Sequence, residues 1–121
     1  MRIPAHLATL LLLGAVLVGG CASAPPPTAR LSDAEAAIRG AVEVDATSVP
    51  RAALHLKLAQ EQVDKAKRYM QDELNDRAEL ALRRALADAE LAIALSREQD
   101  MTKKAKAAQA KVEKLRASKA L

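Results

Sequence analysis

Small apolar residues recur along this chain at alternating intervals of four and three residues. One series comprises Ala52, Leu56, Ala59, Val63, Ala66 and Met70, and a second comprises Ala78, Leu82, Ala85, Ala89 and Ala92. Residues with this spacing lie on one narrow face of an α-helix. Two such faces pack closely when their side chains are small. The spacing therefore predicts two antiparallel helices joined by a tight turn near residues 72–76.

The composition supports the same fold class. Alanine accounts for 28 of the 121 residues, and Tyr69 is the only aromatic residue. A β-sandwich or barrel needs β-branched and aromatic residues. Alanine also buries too little surface to enclose a deep active site. We therefore predict an all-α fold, in which an antiparallel helical hairpin with a long third helix follows a short N-terminal helix.

The predicted helices cover about residues 33–46, 49–72 and 76–117. Ser32 and Glu35 match the S-x-x-E capping box and would begin the first helix. Pro50 fits the first turn of the second helix. Asn75 or Asp76 would provide the N-cap of the third.

A third apolar series follows the hairpin. It comprises Met101, Ala105, Ala108, Val112 and Leu115. Its phase differs from that of the preceding series, so the third helix either presents a new face or kinks near residues 100–102. The second helix is too short to cover the last ~18 residues of the third. We expect these five residues to contact a protein partner or a second copy of the chain.

Positive charge is concentrated at the C-terminus. Residues 103–121 carry seven basic residues and one acidic residue, whereas residues 21–102 carry 11 basic and 14 acidic residues. The seven are Lys103, Lys104, Lys106, Lys111, Lys114, Arg116 and Lys119. They form either a contact surface for peptidoglycan, lipid phosphates or an acidic protein, or a solvated face that complements the helix dipole. Nucleic acid is not an expected partner, because no aromatic residue interleaves the lysines.

The N-terminus has the pattern of a signal peptide. Arg2 precedes an uncharged apolar stretch at residues 7–18, which is too short to span a membrane. The segment ends in Val18-Gly19-Gly20-Cys21, which resembles the lipobox of bacterial lipoproteins. This resemblance implies a lipid anchor (palmitate or a similar acyl chain) on Cys21. The alternative is an ordinary secretory signal with a chance cysteine.

The predicted organisation has three parts. They are a signal peptide at residues 1–20, a lipidated cysteine with a Pro-rich tether at 21–31, and a helical domain at 32–121. Ala22 is not the aspartate that retains lipoproteins in the inner membrane, so the lipobox resemblance implies the outer membrane, facing the periplasm. The three prolines after Ala24 favour either a polyproline II spacer or a flexible linker.

The sequence does not favour catalysis. His55 is the only histidine outside residues 1–20, so no Ser–His–Asp set can be assembled. A single cysteine excludes a CxxC zinc site. The acidic residues between Asp72 and Glu79 lack the spacing of a calcium loop. We therefore expect a protein that is not an enzyme and binds no cofactor.

The helices also carry a family resemblance. The run ALADAELA at residues 85–92, together with the helix over residues 56–66, is similar to a family of short bacterial envelope lipoproteins known as domain of unknown function 4398. Its members pair a lipobox with a helical hairpin, and this chain has Glu73-Leu74 near their usual Gly-Asp turn. The resemblance implies no catalytic residues. We therefore expect a scaffold or adaptor, with a peptidoglycan-tethering protein or an accessory subunit of an envelope complex as alternatives.

Overall fold

The described part of the chain is built from helices. A computed structural model describes residues 24–119, and within this range it contains three α-helices, one 3₁₀ turn and no strand. The helices are α1 (Thr28–Glu43), α2 (Pro50–Gln71) and α3 (Asn75–Lys119), with the 3₁₀ turn at Ala46–Ser48. The predicted all-α fold class is confirmed. The predicted signal peptide and Cys21 lie outside the described residues.

The core of the hairpin consists of the two predicted alanine-rich faces. In α2, every member of the series is buried except Met70, which packs half-buried at the edge of the core. In α3, all five members of the series are fully buried. Because most of these side chains end at Cβ, the two helix axes can approach to about 8 Å, the lower end of the usual range.

The helix α1 lies against both arms of the hairpin and packs mainly on α3. Its residues Ala34 and Ala41 are buried, and Ile38 contacts the clusters at both ends of the core. The helix begins at Thr28, so the predicted capping box at Ser32 and Glu35 is wrong. Those two residues lie inside α1, because the helix already begins four residues before Ser32.

A turn at Pro27 starts α1. The N–H of Thr28 donates to the carbonyl of Pro26 at 2.9 Å, and Pro27 has φ −80° and ψ 56°. This geometry is an inverse γ-turn. The carbonyl of Pro27 then accepts the N–H of Leu31 at 3.0 Å, as in the first turn of a helix. Pro27 is therefore not in the polyproline II conformation that a uniform spacer would require.

The predicted turn between α2 and α3 is confirmed, and it is a Schellman motif. The N–H of Leu74 donates to the carbonyl of Tyr69 at 2.8 Å, and the N–H of Glu73 donates to that of Met70 at 3.2 Å. The motif requires a left-handed residue after the helix, a position that glycine usually fills. Here Glu73 fills it, with φ 58°.

The third helix is continuous. It runs for 45 residues without a break at residues 100–102, which resolves the two possibilities left open by the sequence. At 1.5 Å per residue it is roughly 67 Å long. Every residue from 97 to 119 is exposed. We call residues 97–119 the overhang, and it is five residues longer than the sequence suggested.

Within residues 24–119, no helix combines the length and the apolar character that crossing a membrane would require.

Candidate functional site

The overhang carries the five residues predicted to contact a partner. Met101, Val112 and Leu115 are 64%, 45% and 54% exposed, and Ala105 and Ala108 are exposed as well. Because α3 stays helical throughout, all five lie on one side of it. We call this set the overhang stripe. Burying it against a partner would remove apolar surface from water, which is the main favourable term in helix–helix association.

The overhang stripe faces away from the hairpin. An α-helix turns by about 100° per residue, so Ala108 lies about 140° around the axis from Ala85. Ala85 is fully buried against α2. The stripe is therefore not a continuation of the hairpin core. A partner could reach it without displacing α2.

The seven basic residues from Lys103 to Lys119 are distributed around the whole circumference of the overhang helix. Lys104 and Lys111 lie along one edge of it and Arg116 along the other, while Lys103, Lys106 and Lys114 lie on the opposite face of the helix. Lys119 lies in line with the stripe. All seven are exposed. Between residues 97 and 116, the structure places no carboxylate within 4 Å of a basic nitrogen.

The other end of the molecule holds the N-terminal segment. The side-chain Nδ2 of Asn75 donates to the backbone carbonyl of Ala24 at 2.6 Å, and Asn75 is only 7% exposed. Asn75 and Asp76 both lie inside α3, and the Oδ1 of Asn75 accepts no hydrogen bond, so the predicted N-cap at Asn75 or Asp76 is wrong. The amide of Asn75 holds the residues before α1 against the α2–α3 turn. Sequence reasoning missed this contact because an asparagine at a helix start ordinarily indicates a cap.

This contact also corrects the predicted tether. Four of its residues, 28–31, belong to α1, and Ala24 is bonded to the helical body. The proline stretch is consequently part of the folded end of the molecule. Pro25 and Pro26 line the same surface depression there as Met70 and Glu73.

Ion pairs fasten α1 to both helices of the hairpin. Nε of Arg30 lies 3.3 Å from Oε1 of Glu79 in α3, and Nζ of Lys67 in α2 lies 2.7 Å from Oε1 of Glu35. The pKa of the Glu79 carboxyl is lowered, chiefly by a hydrogen bond from Arg83 and also by Arg30. The hydrogen bond to Glu35 raises the pKa of the Lys67 ammonium. These partly exposed pairs link α1 to both helices of the hairpin and contribute modestly to its attachment.

His55 links the two arms of the hairpin. Its Nδ1 lies 2.8 Å from Oδ1 of Asp88, and both side chains are about one-quarter exposed. This contact joins α2 to α3 across the edge of the core. Within residues 24–119 no group of three or more histidine, cysteine or acidic side chains converges as a metal site would require.

A shallow groove lies between α2 and α3. It has a volume of about 90 Å³, and Lys65, Arg77, Arg84 and Tyr69 line it together with Leu80. Nζ of Lys65 lies 5.7 Å from the centre of the Tyr69 ring, which is within the range of a cation–π contact. Ligand pockets for small molecules usually exceed about 300 Å³. The groove is smaller than a typical substrate pocket.

These features define an all-α protein in which a small-residue helical hairpin extends one helix far beyond its partners. The chain belongs to the family described as Domain of unknown function (DUF4398), whose model matches residues 29–121. The match includes the overhang as well as the hairpin. No curated protein and no solved structure is significantly similar to the chain.

Proposed function

We propose that this protein is a non-enzymatic lipoprotein of the outer membrane that holds a partner protein in the periplasm through helix–helix contacts. Cys21 would carry the lipid, and the overhang stripe would carry the partner. The observation that supports this proposal best is the separation of the two ends. The N-terminal segment is bonded to the α2–α3 turn through Asn75, whereas the bare helix projects from the opposite end.

Chain length supports an anchor close to the folded body. Two residues separate Cys21 from Ala24, and the three Cα–Cα steps between them span at most about 11 Å. A lipid on Cys21 would therefore hold the α2–α3 turn near the membrane surface. The overhang begins 22 residues along α3 from that turn, or about 33 Å away. In cells, a Cys21→Ser chain should fail to incorporate a fatty-acid label that the wild-type chain takes up.

The character of the overhang supports a helical partner. An isolated helix without tertiary contacts is marginally stable in water, because most helical stability in proteins comes from packing of an amphipathic face. The overhang stripe has the four–three spacing of a helix–helix contact surface. A helical partner would bury it and stabilise the overhang at the same time.

The test is a substitution at the centre of the stripe. A photo-crosslinking residue at position 105 of the full-length chain should yield a discrete adduct in intact cells, identified by mass spectrometry. Ala108→Asp places a carboxylate in the contact, and burying it unpaired is costly. We expect the adduct to fall at least about tenfold, the equivalent of 1.4 kcal/mol.

The matched control is Ala110→Asp. Ala110 is exposed on the same helix, about 160° around the axis from Ala108. This variant should retain the adduct, and both variants should keep the melting temperature of the hairpin. If the adduct survives Ala108→Asp, the overhang stripe is not the contact. If both variants lose the adduct equally, the contact is not confined to the stripe face of the helix.

A second candidate is a peptidoglycan tether that uses the basic C-terminal residues. The observation that favours it is the exposure of all seven cations from Lys103 to Lys119. Truncation after Thr102 should then abolish binding to purified sacculi, and added salt should weaken binding of the full chain. An accessory subunit of an envelope complex would instead co-purify with its enzyme or transporter and would not need sacculi.

A further inference from the structure

The apolar surface of α3 does not stop at the overhang. An exposed apolar side chain recurs every seven residues from the body of the molecule to its far end. The members are Leu80, Ala87, Ala94, Met101, Ala108 and Leu115, and each is exposed. Three further apolar residues lie between these members, each four residues after one of them: Leu91, Ala105 and Val112. We call these nine residues the outer stripe.

The outer stripe collects most of the apolar surface that the fold leaves open. Eight large hydrophobic residues are exposed in the described part of the chain, and five of them belong to it. These five are Leu80, Leu91, Met101, Val112 and Leu115. Scattered single exposures are ordinary, whereas a contiguous row marks an interaction surface. The stripe covers 36 residues, or about 53 Å along the helix.

The spacing indicates what kind of partner would cover this row. A strict seven-residue repeat drifts by about 20° per heptad around a straight α-helix. A second helix stays in contact with such a row by winding around it in a left-handed supercoil. A membrane surface would instead need a wide apolar face with bulky or aromatic residues. This stripe is narrow, and four of its nine members are alanine.

The charges at the edges of the overhang disfavour contact with the overhang of a second copy. Beyond the body, the charged residues that border it are Arg97, Lys104 and Lys111 on one edge and Arg116 on the other. In a two-helix contact, these edge positions of one chain meet the edge positions of the other. Two identical chains paired through their overhangs would therefore bring cations together. Like charges in that arrangement destabilise the contact and suppress wrong pairings. In the body, the same edges carry the acidic residues Asp88 and Glu90.

We propose that the outer stripe of α3 docks one helix of a different protein, about 36 residues long, with glutamate or aspartate flanking the part of its apolar row that meets the overhang. This proposal rests on the scaffold function above and specifies its partner. Carboxylates on the partner would pair with Lys104, Lys111 and Arg116. Two charged residues interrupt the intermediate positions of the row, Arg84 and Glu98. A polar residue at such a position fixes the register of a helix pair.

The probes for the first test are two synthetic 36-residue helices with leucine at every contact position. One has glutamate on both edges of its apolar row, and the other has lysine there. Each is titrated against the full-length protein in detergent by fluorescence anisotropy. We expect the glutamate peptide to bind at least about tenfold more tightly than the lysine peptide at low salt. Equal affinities, or no binding of either peptide, would overturn the proposal.

Two triple variants test the position of the charges. The variant Lys104→Glu/Lys111→Glu/Arg116→Glu reverses the charge at the edges of the stripe. The protein should then bind the lysine peptide more tightly than the glutamate peptide. The control, Lys103→Glu/Lys106→Glu/Lys114→Glu, makes the same change in net charge on the opposite face of the helix. It should keep the preference for glutamate. An equal response of both variants would indicate diffuse attraction to any polyanion and would overturn the proposal.

The extent of the contact is tested with Ala94→Asp. Ala94 is exposed on the body portion of the stripe, outside the overhang. The substitution should weaken binding of the glutamate peptide at least about fivefold, the equivalent of 1 kcal/mol. Unchanged affinity would restrict the contact to the overhang. Sedimentation of the wild-type protein should show a monomer, and a dimer that Ala108→Asp dissociates would establish a second copy instead.

The outcome can be separated from that of the proposed function. If Ala108→Asp removes the crosslinked adduct in cells while the edge-reversed variant keeps it, the scaffold function stands and the acidic partner is rejected. If Ala108→Asp leaves the adduct unchanged, the scaffold function itself fails.

Discussion

At the residue scale, the most costly backbone conformation in the hairpin belongs to Glu73. A left-handed conformation brings Cβ close to the carbonyl oxygen of a non-glycine residue. Glu73 also carries a negative charge at the C-terminus of α2, where the helix dipole is unfavourable for it. The Schellman hydrogen bonds from Glu73 and Leu74 hold the turn in place nonetheless. The turn is thus made by backbone hydrogen bonds and not by the preference of its residue.

Glu73→Gly should stabilise the protein. Glycine adopts a positive φ without the Cβ clash, so we expect the free energy of unfolding to rise by about 1 kcal/mol. Urea unfolding followed by circular dichroism would measure the change. The matched control is Glu73→Ala, which removes the same charge but retains Cβ. If alanine stabilises as much as glycine, charge and not backbone conformation is responsible.

At the scale of the elements, α1 depends on charges that titrate at opposite ends of the pH range. Glu79 has a lowered pKa in the folded protein, so its contribution is present above its ordinary value of 4.5 and is lost as the pH falls through the folded value. Lys67 has a raised pKa, so its contribution is complete below 10.5 and is lost as the pH rises through the folded value. The attachment of α1 should therefore weaken both in acid and in strong alkali.

Arg30→Gln isolates the acid side of this dependence. The pair between Arg30 and Glu79 is partly exposed, so its loss should cost about 0.5 kcal/mol at pH 7. The difference from the wild-type protein should disappear in acid, once the pH has fallen below the lowered folded pKa of Glu79 and its carboxylate is protonated. Unfolding at neutral and at acidic pH measures this. Arg83→Gln is the control, because Arg83 pairs with Glu79 inside α3 and does not reach α1. It should leave hydrogen exchange in α1 unchanged. A cost of Arg30→Gln that persists below the folded pKa of Glu79 would contradict the electrostatic account.

At the scale of the whole molecule, the chain has a packed end and a bare end. The body is held by alanine contacts, ion pairs and the link from Asn75 to Ala24. The overhang has only hydrogen bonds within its own helix, because no other described element reaches it. A protein with this division presents its free surface at a fixed distance from its N-terminal segment.

Hydrogen exchange should distinguish the two ends. Backbone amides at residues 101–119 should exchange at least about 100-fold faster than those at residues 78–95, because a helix without tertiary contacts opens readily. Exchange followed by mass spectrometry on the free protein measures this difference within one chain. Binding of the glutamate-edged peptide should slow the overhang amides selectively. Equal protection of both ranges in the free protein would show that the overhang is stabilised without a partner.

The sequence alone determined the helical fold class, the two buried stripes and the turn between them. The reason is that the four–three spacing of small residues leaves few other ways to remove them from water. The five residues of the overhang stripe and the mismatch in phase after Ala92 were also readable from spacing. The contact made by the overhang stripe remains a prediction, as does the lipid on Cys21.

Only the tertiary structure decided where α1 begins, what Asn75 binds and how the two stripes of α3 are related. Capping residues and proline stretches respond to what packs beside them, and local sequence does not encode that neighbour. The core cluster around Leu31 and the carbonyl of Ala24 outweighed the capping signals at Ser32 and Asn75. The spacing left the continuity of α3 open, and the structure shows one unbroken helix through residues 100–102. This continuity places Leu80 and Leu115 in one exposed row that drifts around the helix.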